Sequence, residues 1–239
     1  MAGHSKWANI KHRKERADAK KGKAFSRAAK EIISAVKTGG PDPDGNPRLR
    51  LAIQKAKAVN FPNDSIERNI KKASSAEQGD YFELTYELYG HGGVGLLVDI
   101  MTDNKNRIAG DMRIATNKRG GTIANPGAVA YQFDRKGVIQ VAKDATTEDD
   151  LFMLVTEAGA DDFDVEEELY IILTPPEELM AVKEAVDGAG AKVLEAEIRM
   201  VPKSVVSVDE ETAKANQALI DWLEELDDVD AVYHNMDVS

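Results

Sequence analysis

The sequence predicts an α+β protein: a helical N-terminal domain followed by two small α/β units. Three observations lead there. Apolar residues recur at helical spacing as far as Ala73. Strand-like alternation and glycine turns then take over from Phe82. The charge reverses at the same boundary. Residues 1–79 hold 18 Lys and Arg against 8 Asp and Glu, a net of +10, and the rest of the 239-residue chain carries −21. The total of −11 conceals a basic module joined to an acidic one, and such asymmetry points to a polyanionic partner for the basic end.

Each element has its own signal. Phe25, Ala28, Ala29, Ile32, Ile33 and Val36 form one face of a first helix, stopped by Gly39-Gly40-Pro41. Asn46 is placed to cap a second helix with Pro47 at its first position and Leu49, Ala52, Ile53, Ala56 and Val59 inward. Phe61-Pro62 ends it. Asn63 or Asp64 is expected to cap a third helix carrying Ile66, Ile70 and Ala73, and residues 74–80 read as a linker. Phe82, Leu84, Tyr86 and Leu88, then Val94, Leu96, Val98 and Ile100, predict a hairpin across Gly90-His91-Gly92-Gly93. A helix capped by Asn104 and ended by Gly120-Gly121 follows, then a strand near Ala128 to Phe133.

From Gly137 the expected order is strand 138–142, helix 148–158, strands 161–166 and 168–173, helix 175–187 and strand 191–200. Thr147 and Thr174 are the expected caps, the latter with Pro at the first helical position. This β-α-β-β-α-β order is ferredoxin-like. A final helix over about 209–226 and a strand near Val229 to His234 close the chain.

The residues most suited to function are cations. Lys6, Lys11, Arg13, Lys14, Lys20, Lys21, Lys23 and Arg27, with Trp7 among them, are joined by Arg48, Arg50 and Lys55 on the second helix and Arg68, Lys71 and Lys72 on the third. Lys and Arg neutralise phosphates and release counterions, and an exposed Trp stacks on bases. One such helix would read as a solvated face; three adjacent ones totalling +10 read as a nucleic-acid footprint. No helix-turn-helix with a base-reading helix stands out, which favours contact with the phosphate backbone. His91, Lys118 and Arg119 are secondary contacts. For these the rival reading is structural, with glycines for a tight hairpin and cations facing a helix C-terminus.

Several chemistries are excluded or disfavoured. The chain has no cysteine, so it has no disulfide, thiolate metal site or thiol nucleophile. His4, His12, His91 and His234 share no metal-ligand spacing, and neither a phosphate-binding loop nor a nucleophile elbow occurs. The acidic run Asp161 to Glu168 reads as a solvated strand edge. We therefore expect no catalysis, no cofactor, no metal and no small-molecule substrate. No run approaches the ~18 apolar residues of a membrane span, and the N-terminus lacks a signal peptide's apolar stretch, so the expected location is cytoplasmic.

The opening Met1-Ala-Gly-His-Ser-Lys-Trp-Ala-Asn-Ile-Lys-His-Arg-Lys14 resembles that of the YebC/PmpR family, and the likeness runs end to end. Asn46-Pro-Arg-Leu-Arg-Leu-Ala-Ile-Gln-Lys-Ala-Lys57, Ile66-Glu-Arg-Asn-Ile-Lys-Lys72, Thr102-Asp-Asn-Lys-Asn-Arg107, Phe133-Asp-Arg-Lys-Gly-Val138 and Tyr233-His-Asn235 continue it. His91 and Asn125-Pro126 depart from the family's usual loops. The resemblance implies three domains: 1–79, basic and nucleic-acid binding; 80–134 with 203–239, an α/β domain; and 135–202, a ferredoxin-like domain inserted into it. It also implies a DNA-binding transcriptional regulator, with a ribosome- or mRNA-associated translation factor as the alternative. A protein-only adaptor is the third reading. The acidic domains would then meet the ribosome or the transcription machinery.

Overall fold

The computed structural model describes residues 21–75, 79–143 and 146–238. Within these, two compact units separate: residues up to Ala130 with Ser204 onward, and Tyr131–Lys203.

The first unit begins with α1 (Lys21–Gly39), α2 (Pro47–Ala58) and α3 (Asn63–Ala73). Their core is Ala28, Ile32, Ile33, Val36, Leu49, Ala52, Ala56, Phe61 and Ile66, with Phe25 edge-on to Phe61 at 5.2 Å. These are the stripes the periodicity predicts except at Val59, expected inward, which follows the last residue of α2 and is exposed. Asn46 caps α2 by accepting from the Leu49 N–H, while its amide donates to the carbonyls of Ala35 and Gly40. A side chain at Gly39 would collide with this amide, so the glycine is needed where α1 ends. The cap of α3 differs from expectation: Pro62 holds that position, and neither Asn63 nor Asp64 supplies a cap.

The same unit contains an antiparallel sheet in the order β3-β1-β2-β9, from β1 (Phe82–Tyr89), β2 (Gly95–Thr102), β3 (Thr122–Ile123) and β9 (Val229–His234). The hairpin is in register from Phe82↔Thr102 to Tyr89↔Gly95. Its turn requires glycine at residues 92 and 93, where φ is 67° and 80°. Helices α4 (Lys105–Arg119) and α7 (Glu210–Glu225) add Ile108, Met112, Ala115, Leu219, Ile220 and Leu223 to a core with Leu88, Leu96, Val98 and Ile100. β8 (Val206–Val208) pairs in parallel with β10 (Met236–Val238).

The second unit runs β4 (Phe133–Ala142), α5 (Glu148–Glu157), β5 (Asp162–Val165), β6 (Leu169–Thr174), α6 (Leu179–Gly188) and β7 (Val193–Pro202), with sheet order β5-β6-β4-β7 and every neighbour antiparallel. That is the ferredoxin-like arrangement, and it interrupts the first α/β domain.

Two expectations need correction. The strand placed near Ala128–Phe133 is a turn and a short 3-10 segment, and β4 starts only at Phe133. The Glu87 carboxylate takes the N–H groups of Gly127, Val129 and Ala130 at 2.5, 2.6 and 2.7 Å and Ala128 donates to the Asn125 carbonyl, so residues 127–130 have no N–H left for a ladder. The helix expected at 175 begins at Leu179. Pro176 disfavours a helical conformation at residue 175. Thr174 is therefore the last residue of β6, its hydroxyl donating to the Pro175 carbonyl. Thr147, Asn104 and Asp209 do cap their helices.

Candidate nucleic-acid interface

Of the expected contacts, Lys6, Trp7, Lys11, Arg13, Lys14 and Lys20 lie outside the described residues, as does the side chain of Lys21. The rest fall into two groups.

One group is already engaged inside the first unit. Lys23, Arg27 and Lys30 stand at i, i+4 and i+7 of α1, one face of the helix. The Lys23 ammonium donates to the carbonyls of Glu224 and Leu226 at the C-terminus of α7, where unpaired carbonyls and the helix dipole favour a cation. Arg27 donates to the Asp230 carbonyl at 3.0 Å and lies 3.8 Å from its carboxylate. Lys30 meets the carbonyls of Met101 and Asp227 and the carboxylate of Asp228, at 3.1, 2.8 and 2.9 Å. On the second helix, Arg48 bonds Glu83 of β1 and the Ser34 hydroxyl. Arg50 closes the preceding loop on the carbonyls of Pro43 and Asp44, and Lys55 pairs with Glu31 at 3.5 Å.

Asp228 is the centre of this network. Its side chain is 7% exposed. It accepts from Lys30, from the Thr102 hydroxyl at 2.9 Å, and from Arg107 through Nε at 3.1 Å and Nη2 at 2.6 Å. Burial pushes this carboxyl up, but the bonds from Arg107, Lys30 and Thr102 outweigh it and hold it below the usual range. Asp230 goes the other way. Burial raises its carboxyl to about 6, because Arg27 only partly offsets the lost hydration and Glu31 adds repulsion.

The other group faces solvent. Arg68, Lys71 and Lys72 on α3, with Lys57 on α2, are exposed and pair with no acid among the described residues.

The secondary contacts gather at one corner of the α/β domain. His91 Nε2 lies 2.8 Å from the Arg119 carbonyl, at the end of α4. The buried Asn216 side chain accepts from the His91 N–H at 2.7 Å and donates to its carbonyl at 3.0 Å. Gly120 leaves the imidazole its room: an added Cβ would sit 2.4 Å from it. The guanidinium of Arg119 lies 5.0 Å over Trp222, and Lys118 is exposed. Both readings of the corner therefore meet here: the ring satisfies an end-of-helix carbonyl while two cations face outward.

Sequence reading missed Lys30, Asp228, Asp230, Glu83 and Asn216. Lys30 had a signal, its i+3 and i+7 spacing from Arg27 and Lys23; the acids had none, being up to 203 positions from their partners.

A sequence model of the TACO1/YebC protein N-terminal domain matches residues 5–76, and one of the TACO1/YebC second and third domain matches residues 81–236. The chain belongs to the TACO1/YebC family. A relative from Protochlamydia amoebophila is 66% identical over all of this chain and 97% of its own length, and one from Chlamydia pneumoniae is 60% identical over 99% of this chain and 100% of its own length. Both carry the name "probable transcriptional regulatory protein". The crystal structure of a conserved hypothetical protein from Aquifex aeolicus is 43% identical and covers 98% of each chain, with a TM-score of 0.86. This family member thus shares its fold, over nearly the whole of each chain, with the Aquifex aeolicus protein.

Proposed function

We propose that this TACO1/YebC family member is a cytoplasmic regulatory protein that binds DNA through its helical domain and catalyses nothing. The observation that carries the reading is the set of exposed cations, Lys57, Arg68, Lys71 and Lys72, free of acidic partners among the described residues, within a region of net charge +10. The names of its relatives support regulation of transcription. Three modules divide the work: 1–79 grips phosphates, 80–134 with 203–239 supports it, and the acidic insert 135–202 is left for a protein partner. Like charge keeps the acidic insert 135–202 off a polyanion and so orients the approach.

A salt titration of the full chain on duplex DNA tests this. The logarithm of affinity should fall against that of salt by about 0.9 per phosphate neutralised. Replacing Arg68, Lys71 and Lys72 with Ala should flatten the slope by about 2 to 3 and weaken all sequences alike. Salt-independent binding, or none, overturns the reading. Cations without base-reading residues on α2 and α3 also suit the translation-factor alternative; sequencing of DNA and RNA crosslinked in cells separates the two.

A further inference from the structure

The outer ridge of α4 carries a side-chain set that the fold does not use. Ile108, Met112, Ala115 and Thr116 face inward. On the opposite side, at about 100° per residue, Asn106, Gly110, Arg113 and Asn117 fall within about 60° of one another. Asn106, Arg113, Asn117 and the neighbouring Lys118 are exposed, and their side chains make no hydrogen bond or ion pair among the described residues. Ile114, beside them, is 52% exposed.

Gly110 is the telling residue. Glycine inside a helix is less favourable than alanine, because more backbone freedom is lost on folding. Here the backbone does not require it, since its φ is not positive, and a Cβ would meet nothing within 4 Å. Among the described residues nothing accounts for the missing side chain, and another surface can approach the helix axis closely at this point. The groups around the gap are two amides, a guanidinium and an aliphatic side chain. Arginine pairs with the major-groove edge of guanine, asparagine with that of adenine, and an apolar side chain with the thymine methyl. Asn106 and Asn117 stand about 16 Å apart along the axis, at a rise of 1.5 Å per residue. The major groove of DNA admits a helix, whereas that of A-form RNA is too deep and narrow.

We propose that α4 is a base-reading helix whose outer ridge enters the major groove of duplex DNA, with Asn106, Arg113 and Asn117 on base edges and Gly110 permitting the approach. This rests on the DNA-binding reading and deepens it. Helix α7, which packs beside α4, carries Asp221, Glu224 and Glu225. Such acids disfavour a broad phosphate clamp here, so α4 is suited to reading sequence while the cations of α2 and α3 grip.

The test is selection of the full chain on a random duplex DNA library, repeated with Arg113→Ala, Asn117→Ala and Gly110→Gln. The wild type should enrich a defined motif. Each variant should lose about 10- to 100-fold in the ratio of motif to random binding. Gly110→Gln is the decisive variant, because glutamine favours the helix and should leave thermal stability equal or higher as the preference disappears. If the variants enrich the wild-type motif at wild-type strength, or the wild type binds duplex without preference, α4 is not a reader although DNA binding stands. If the wild type binds structured RNA but not duplex DNA, or binds neither, this inference falls together with the DNA-binding reading.

Discussion

Asp228 and Asp230 are two residues apart, yet their surroundings drive them in opposite directions. Asp228 has four donor contacts from three side chains; Asp230 has one guanidinium at 3.8 Å and a second carboxylate, Glu31, nearby. A carboxyl whose folded-state pKa is raised to about 6 binds its proton more tightly in the native state than in the unfolded one, so stability declines as pH rises from about 4 to about 6. Its side chain is 13% exposed, so solvent screening is limited. Asp230→Asn should therefore gain more stability at pH 7.5 than at pH 4.5, by about 1–3 kcal/mol. Denaturant melts at the two pH values measure this; an equal effect at both would show that Asp230 ionises as freely in the folded state as in the unfolded one. Asp228, with its depressed pKa, has the opposite sign: its contribution is present above the ordinary carboxylate range and is lost on acidification.

Among elements, α1 is the one whose role the structure changes most. Its apolar face builds the helical core, as its periodicity requires, but its basic face meets the C-terminus of α7 and the start of β9. Three cations there are engaged by carbonyls and carboxylates of the α/β domain. Under the proposed DNA binding, the phosphate-contacting task then passes to Lys57 of α2 and to Arg68, Lys71 and Lys72 of α3, which are exposed and pair with no acid among the described residues. Asp228 joins four elements at once: α1 through Lys30, the end of β2 through Thr102, α4 through Arg107, and the turn before β9. Removing one partner of such a buried network strands the others, at a cost of about 3–5 kcal/mol. Asp228→Ala should lower the thermal midpoint accordingly, and proteolysis should then open the helical domain from the sheet. A loss below 1 kcal/mol would show that solvent already satisfies Lys30 and Arg107.

For the whole molecule, the charge division would govern how a polyanion is met under the proposed DNA binding. The engaged ridge of Lys23, Arg27 and Lys30 lowers the cationic surface that the intact chain offers. A fragment ending at residue 79 would release those three cations and lose the −21 portion. At 0.01 M salt, where the Debye length is about 30 Å, this fragment should bind duplex DNA about tenfold more tightly than the full chain. The gap should close near 0.15 M, as screening shortens to about 8 Å. Gel-shift titrations at both salts check it, with circular dichroism to confirm that the fragment is helical; a folded fragment weaker than the full chain would place the main DNA contacts in the α/β portion.

Local patterns determined much of this protein. The helical stripes of α1, α2 and α3, the hairpin across Gly92 and Gly93, the caps at Asn46, Asn104 and Thr147, and the ferredoxin-like order of the insert follow from residue spacing and side-chain chemistry within a turn or two. The charge split is likewise a property of the chain. What tertiary structure alone decided is which charged residues are already engaged. Lys23 and Lys71 are indistinguishable in sequence, both lysines on basic amphipathic helices, yet one ends on backbone carbonyls more than 200 positions away and the other faces solvent. The same holds for Glu87, which withdraws three backbone N–H groups from a stretch that reads as a strand, and for Gly110, whose open surroundings only packing could reveal. Periodicity reports which side of an element is buried against its neighbours; it contains no information on which distant acid or carbonyl the folded chain brings to a given cation.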